Sequence, residues 1–104
     1  MASLVPMELG KLKQLQWLDL EINQLVSDNT TTLSIFTALS NCSVLKDIVL
    51  SANNITGRLP FSIGHLSTKL EWMFFDDNQL AEEIPPQIGN LTGLTFLRLH
   101  NNFL

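Results

Sequence analysis

Four stretches of this chain carry one phrase, L-x-x-L-x-L-x-x-N-x-L, with other apolar residues allowed at the leucine positions. They are residues 15–25, 45–55, 70–80 and 94–104. Their asparagines, Asn23, Asn53, Asn78 and Asn102, stand 30, 25 and 24 residues apart. A repeat of that length cannot bury its own apolar residues. Such a chain winds into turns, and each turn hides its leucines against the next.

Within each copy the apolar residues alternate, which predicts a short strand with one face inward. Stacked turns lay these strands side by side as a parallel sheet, about 4.8 Å apart. The inward residues are Leu18 and Leu20, Ile48 and Leu50, Met73 and Phe75, Leu97 and Leu99. Burying each such side chain contributes roughly 1.5–3 kcal/mol. The repeated asparagine sits where the strand turns away and backbone groups lose their strand partners. Its amide offers both a donor and an acceptor, so a ladder of Asn23, Asn53, Asn78 and Asn102 is expected to satisfy them.

The returns between strands share a second phrase. Thr56-Gly57-Arg58-Leu59-Pro60, continuing to Ile63-Gly64, matches Ala81 through Pro85, continuing to Ile88-Gly89. Val5-Pro6, continuing to Leu9-Gly10, is the end of another such return. Proline opens a short helical turn and glycine closes it. Leu9, Ile63 and Ile88, three after each proline, should point into the core. The return after the first copy is longer and lacks both residues. There Asp28 to Thr32 reads as an exposed polar loop, and Leu33, Phe36 and Leu39 recur at α-helical spacing. The boundaries that follow are a partial repeat 1–11 and repeats at about 12–41, 42–65, 66–90 and an incomplete 91–104.

Composition narrows the partners. Mean hydropathy is +0.19 with 15% charged residues, which the recurring leucines explain. No apolar run approaches the roughly 20 residues that span a bilayer, so direct membrane insertion by this segment is not expected. A net charge of −4 with scattered basic residues argues against nucleic acid. The single cysteine, Cys42, shares an inward column with Leu12, Leu66 and Leu91, and reads as a small buried hydrophobe. The N-terminus, Met1 to Pro6, lacks the charged region and apolar core of a signal peptide.

Outward positions form a grid of three columns. The first is Trp17, Asp47, Trp72 and Phe96; the second Asp19, Val49, Phe74 and Arg98; the third Glu21, Ser51, Asp76 and His100. Exposed aromatics in register mark a contact surface, and aromatics beside charges are what peptide-binding hot spots use. The acidic members favour a basic ligand, against which Arg98 and His100 weigh at one end. Four sequons, at Asn29, Asn41, Asn54 and Asn90, exceed what composition alone gives and suggest a glycosylated, secreted surface. Catalytic, cofactor and metal residues are not expected. Asp76 and His100 fall in one column and read as a surface ion pair. Glu82-Glu83 reads as a solvated pair, and no phosphate loop, metal-ligand spacing or kinase motif occurs.

The phrase L-x-G-x-[IL]-P-x-x-[IL]-G-x-L following L-x-x-L-x-L-x-x-N resembles the leucine-rich repeat of plant receptor-like Ser/Thr kinase ectodomains. The longer proline-free return and Leu39-Ser-Asn-Cys42-Ser-Val-Leu45 look like the subgroup of flagellin, elongation-factor and rice Xanthomonas-resistance receptors. The resemblance covers essentially the whole chain. It implies an α/β fold: a right-handed leucine-rich repeat solenoid, a horseshoe segment with a parallel sheet on its concave face. The returns would then hold short helical or 3-10 turns. It also implies recognition without chemistry: a peptide or protein ligand, a co-receptor, and signalling or defence through a kinase outside this chain. The setting would be the extracellular face of the plasma membrane. The chain then reads as an internal piece of an ectodomain, able to self-associate through uncapped ends. Alternatives are a secreted interaction or inhibitor module of the same repeat, and a truncated remnant.

Overall fold

The computed structural model describes residues 11–20, 26–27 and 29–104, without the side chains of 26–27 and 29–31. Expectations placed on Leu9, Glu21, Asn23 and the Asn29 side chain lie outside what is described. The strands are β1 (Trp17–Asp19), β2 (Val26–Ser27), β3 (Asp47–Val49), β4 (Asn54–Arg58), β5 (Trp72–Phe74), β6 (Gln79–Ala81) and β7 (Phe96–Arg98). One helix, α1 (Asn29–Ser40), and 3-10 turns at Phe61–His65 and Pro86–Asn90 fill the returns.

β1, β3, β5 and β7 lie side by side in that order as a four-stranded parallel sheet. The pairing puts Leu18, Ile48, Met73 and Leu97 in one row. This is the right-handed solenoid, with its strands on the concave face. Ile48, Leu50, Met73 and Phe75 are fully buried, as the alternation requires. Position along the stack decides the rest. Leu97 is 43% exposed and Leu12 is 49% exposed, although both fall in inward columns. Each winding is covered by its neighbours, and these residues lie in the outermost described windings.

The returns hold a second sheet, β2-β4-β6, also parallel, which the sequence reading left as turns. The long return also differs from expectation. The helix begins at Asn29, so the polar stretch is helical rather than loop from that point. Its inward face is Thr32, Ile35, Phe36 and Leu39, all buried, while Leu33 is 48% exposed. Thr32 can be inward because its Oγ1 donates to the Thr56 carbonyl at 2.6 Å, giving the buried hydroxyl a partner. Phe36 stacks on Phe75 with centroids 5.4 Å apart and planes 17° from parallel. That contact ties the helix to the strand winding with the bulkiest inward residues.

Ile63 is fully buried, as its place after Pro60 implies, whereas Ile88 in the next turn is half-buried. Gly64 is required by close approach. A Cβ there would lie 2.9 Å from the Gln87 carbonyl oxygen and from Asn90 Nδ2. Gly57 has φ 86°, and Glu82, four residues after its ladder asparagine just as Gly57 is, has φ 66°. Only the first is suited to that backbone.

Candidate functional site

Strand pairing brings the outward columns into register. Trp17, Asp47, Trp72 and Phe96 form one row, and Asp19, Val49, Phe74 and Arg98 the next. Phe74 and Trp72, two apart on β5, share a face because strand side chains alternate. Their rings stack at 5.6 Å and 13°. Phe96, across from Trp72 on β7, meets it edge-on at 5.6 Å and 83°. The Arg98 guanidinium lies over the Phe74 ring, 4.4 Å from its centroid. Three rings and one cation therefore form a single ordered cluster.

This cluster stays open to solvent. Trp72 is 41% exposed and Phe96 is 57% exposed, with Phe74 half-buried beneath the guanidinium. Trp17 stands apart at 62% exposed, two strands from Trp72 with Asp47 between them. Asp19 is exposed and Val49 half-buried. Burial pushes the Asp47 carboxyl above the usual carboxylate range; nearby Glu71 adds to this and Lys46 opposes it.

The third column departs from the reading. Ser51 and Asp76 are buried rather than open, at 7% and 6% exposed. The Ser51 hydroxyl donates to Asp76 Oδ1 at 2.7 Å, and His100 Nε2 lies 3.6 Å from Oδ2. The expected Asp76–His100 pair is therefore present, but its carboxylate is buried and takes a hydroxyl as a second partner. Serine, aspartate and histidine do meet here, but the serine faces the carboxylate and not the imidazole. The imidazole contacts the far carboxylate oxygen and is not placed to take the serine's proton, so this is not the order of a catalytic triad. Asp76, Asp77 and His100 also bring one ligand atom each within 4.8 Å of one another. Ser51 already bonds Asp76, and Asn101 Nδ2 bonds Asp77 Oδ1 at 2.6 Å. These groups are engaged in closing the strand exit.

Behind the sheet exit stands the asparagine ladder. Asn53 Nδ2 donates to the carbonyls of Leu20, Leu50 and Ser51 at 3.0, 3.0 and 3.2 Å. Asn102 Nδ2 does the same for Phe75, Leu99 and His100, and its Oδ1 accepts from the Leu80 N–H at 2.8 Å. These bonds fix where each strand ends, and so hold the outward grid in file.

Elsewhere, Asn41, Asn54 and Asn90 are exposed. Cys42 is fully buried, and burial pushes its thiol up, with Lys13 opposing. A groove of about 1030 Å³ lies on the return side, lined by Leu33, Leu59, Pro60, Phe61, Pro85 and the Arg58–Glu82 ion pair among others. The sequence reading missed it. Its signal was Leu33 and Phe61 falling on faces that winding leaves uncovered. Among the described residues, no helix is long and apolar enough to cross a membrane.

The sequence profile of the Leucine Rich Repeat family matches residues 44–66 and 69–91. The LRR receptor-like serine/threonine-protein kinase EFR of Arabidopsis thaliana is 37% identical over 86% of this chain and 9% of its own length. Receptor kinase-like protein Xa21 of Oryza sativa subsp. japonica is 38% identical over 88% of this chain and 9% of its own. This chain thus spans about 9% of either relative's length. Among solved structures, the plant peptide hormone receptor RGFR1 in complex with RGF2 superposes with a TM-score of 0.83 and 36% identity. It covers 97% of this chain, which in turn covers 15% of the receptor. Repeat phrase, strand register, ladder and relatives agree: the chain belongs to the leucine-rich repeat family, in the form found in plant receptor-like kinase ectodomains.

Proposed function

We propose that this chain is a recognition module of a receptor-like kinase ectodomain, binding a peptide or protein ligand on its concave strand face. The supporting observation is the preassembled cluster of Trp72, Phe74, Phe96 and Arg98. Ordered aromatics that stay open to solvent supply contact area with little side-chain freedom to lose on binding. The carboxylates of Asp19 and Asp47 in the outward rows favour a ligand carrying basic residues. RGFR1, similar in fold over nearly all of this chain, is a peptide hormone receptor.

No chemistry is asked of the module. Binding at the extracellular face of the plasma membrane would feed a kinase or co-receptor outside these residues. Asn41, Asn54 and Asn90 are exposed and available for N-glycosylation there. Panning a displayed random-peptide pool on the immobilised chain tests the concave site. Recovered peptides should lose at least about tenfold in affinity on Trp72→Ala or Phe96→Ala, the size of a hot-spot truncation. The same peptides should be indifferent to Phe61→Ala on the return side. Peptides that ignore both concave substitutions would sink the reading.

A further inference from the structure

We infer that the row Trp17, Asp47 and Trp72 is a slot for one arginine side chain of a peptide ligand, its guanidinium on Asp47 between the two indoles. The inference rests on the concave face being the recognition surface, and names a residue that surface selects. Strand register sets the three side by side, Asp47 on β3 flanked by Trp17 on β1 and Trp72 on β5. The slot lies between β1 and β5, inside the described sheet, and owes nothing to either end of it.

Aspartate is short and indole is long, so the row dips at Asp47. The two tryptophans stand two strand spacings apart, about 9.6 Å, which leaves room for one side chain between them. Trp72 is a fixed wall, because Phe74 stacks on it and Phe96 meets it edge-on. Val49, two residues along β3 and half-buried, gives the dip an apolar margin for an alkyl stem. The floor lacks a cation. Asp47 is half-buried, and among the described residues its carboxylate makes no hydrogen bond and no ion pair. Lys46 is near enough to act on it, yet burial and then Glu71 outweigh that effect and hold the carboxyl above its ordinary range. A guanidinium supplies the missing charge. Arginine fits better than lysine, since its planar group stacks on an indole, forks onto a carboxylate and is more weakly hydrated.

Two displayed peptide pools, random except for a fixed central arginine or glutamine, test this on the immobilised chain. Wild type should recover the arginine pool about five- to tenfold over the glutamine pool, the combined size of an exposed ion pair and a cation–π contact. Asp47→Asn should bring that ratio near one, and Trp17→Ala should lower it about twofold or more. Glu83→Gln, an equal change of net charge at an exposed return position, should leave the ratio unchanged. Phe96→Ala should lower recovery of both pools alike and keep their ratio. The replaced side chains all lie on outward faces, so unchanged circular dichroism is expected. Equal recovery of the two pools by wild type, whether high or nil, overturns the inference. So does a preference that Asp47→Asn or Trp17→Ala leaves intact, or that Glu83→Gln abolishes. Equal recovery that still falls on Phe96→Ala sinks the slot alone and leaves concave recognition standing.

Discussion

Asn78 Nδ2 donates to the carbonyl of Leu50, 28 residues earlier in the chain, at 2.9 Å. The same nitrogen reaches the Phe75 and Asp76 carbonyls of its own winding at 3.0 and 3.2 Å, and Oδ1 accepts from the Ile55 N–H at 3.1 Å. One buried amide thus serves four backbone groups in two windings. The bonds form where the chain leaves the sheet, and neighbouring asparagines share them: Asn53 Nδ2 also donates to the Leu50 carbonyl and Asn102 Nδ2 to that of Phe75.

Asn78→Leu keeps the volume, takes from the buried Ile55 N–H its acceptor, and leaves the Leu50, Phe75 and Asp76 carbonyls with only their second donors, Asn53 Nδ2, Asn102 Nδ2 and the Ala52 N–H. Leaving that N–H buried and unpaired costs about 1–3 kcal/mol, and the variant should be destabilised by at least that order. Gln79→Ala, one residue on and exposed, should stay within about 0.5 kcal/mol of wild type. Urea midpoints for the two variants check this. An unchanged midpoint for Asn78→Leu would remove the ladder from the account of stability.

Glu82 tests the opposite case, a residue working against its backbone. At φ 66° it takes the left-handed conformation that Gly57 takes one winding earlier. A side chain there is unfavourable by roughly 1 kcal/mol, and glycine relieves it at the expense of a more flexible unfolded chain. The Arg58 Nη1 to Glu82 Oε2 contact of 3.4 Å joins two largely exposed side chains, so little stability goes with it. Glu82→Gly should therefore be neutral to about 1 kcal/mol stabilising, whereas glycine at exposed Glu83 should not stabilise. A midpoint lowered by more than that amount would mean the ion pair outweighs the backbone.

The contrast between Leu33 and Phe36 shows where the sequence was legible. Strand positions could be read because a period of two leaves one choice of inward face, and the windings then fix the columns. Hence Trp17, Asp47, Trp72 and Phe96 fall in the expected row. The helical return offers no such constraint. Leu33, Phe36 and Leu39 share a helical spacing, yet so do Thr32, Ile35 and Leu39. The structure turns Thr32, Ile35, Phe36 and Leu39 inward and leaves Leu33 out, with the Thr32 hydroxyl satisfied by the Thr56 carbonyl 24 residues away. The second sheet was hidden for a similar reason. β2 and β6, of two and three residues, have no pattern of their own and become strands only through their neighbours. In the grid, Ser51 and Asp76 closed because they bond each other across 25 residues. Periodicity in a single chain says which way a side chain points, and is silent on whom it meets.

Asp47 gives the last expectation, one that pH can check. Its carboxyl is raised in the folded chain, by burial first and by Glu71 second, so the native state holds its proton more tightly than the unfolded state does. Stability then falls as pH rises from the ordinary carboxylate range through the raised value, and the loss persists at neutral pH. Below the ordinary value both states are protonated and the loss is gone. Asp47→Asn carries no charge at any pH. It should be more stable than wild type at neutral pH, within the roughly 0.5 kcal/mol usual for surface positions, and equal to it in acid. Glu71→Gln removes only the second cause, so the advantage of Asp47→Asn should shrink in that background without vanishing. Thermal melts of the four chains across the acid-to-neutral range measure each difference. An asparagine variant less stable at neutral pH would show that this carboxylate gains more from Lys46 than it loses to its surroundings.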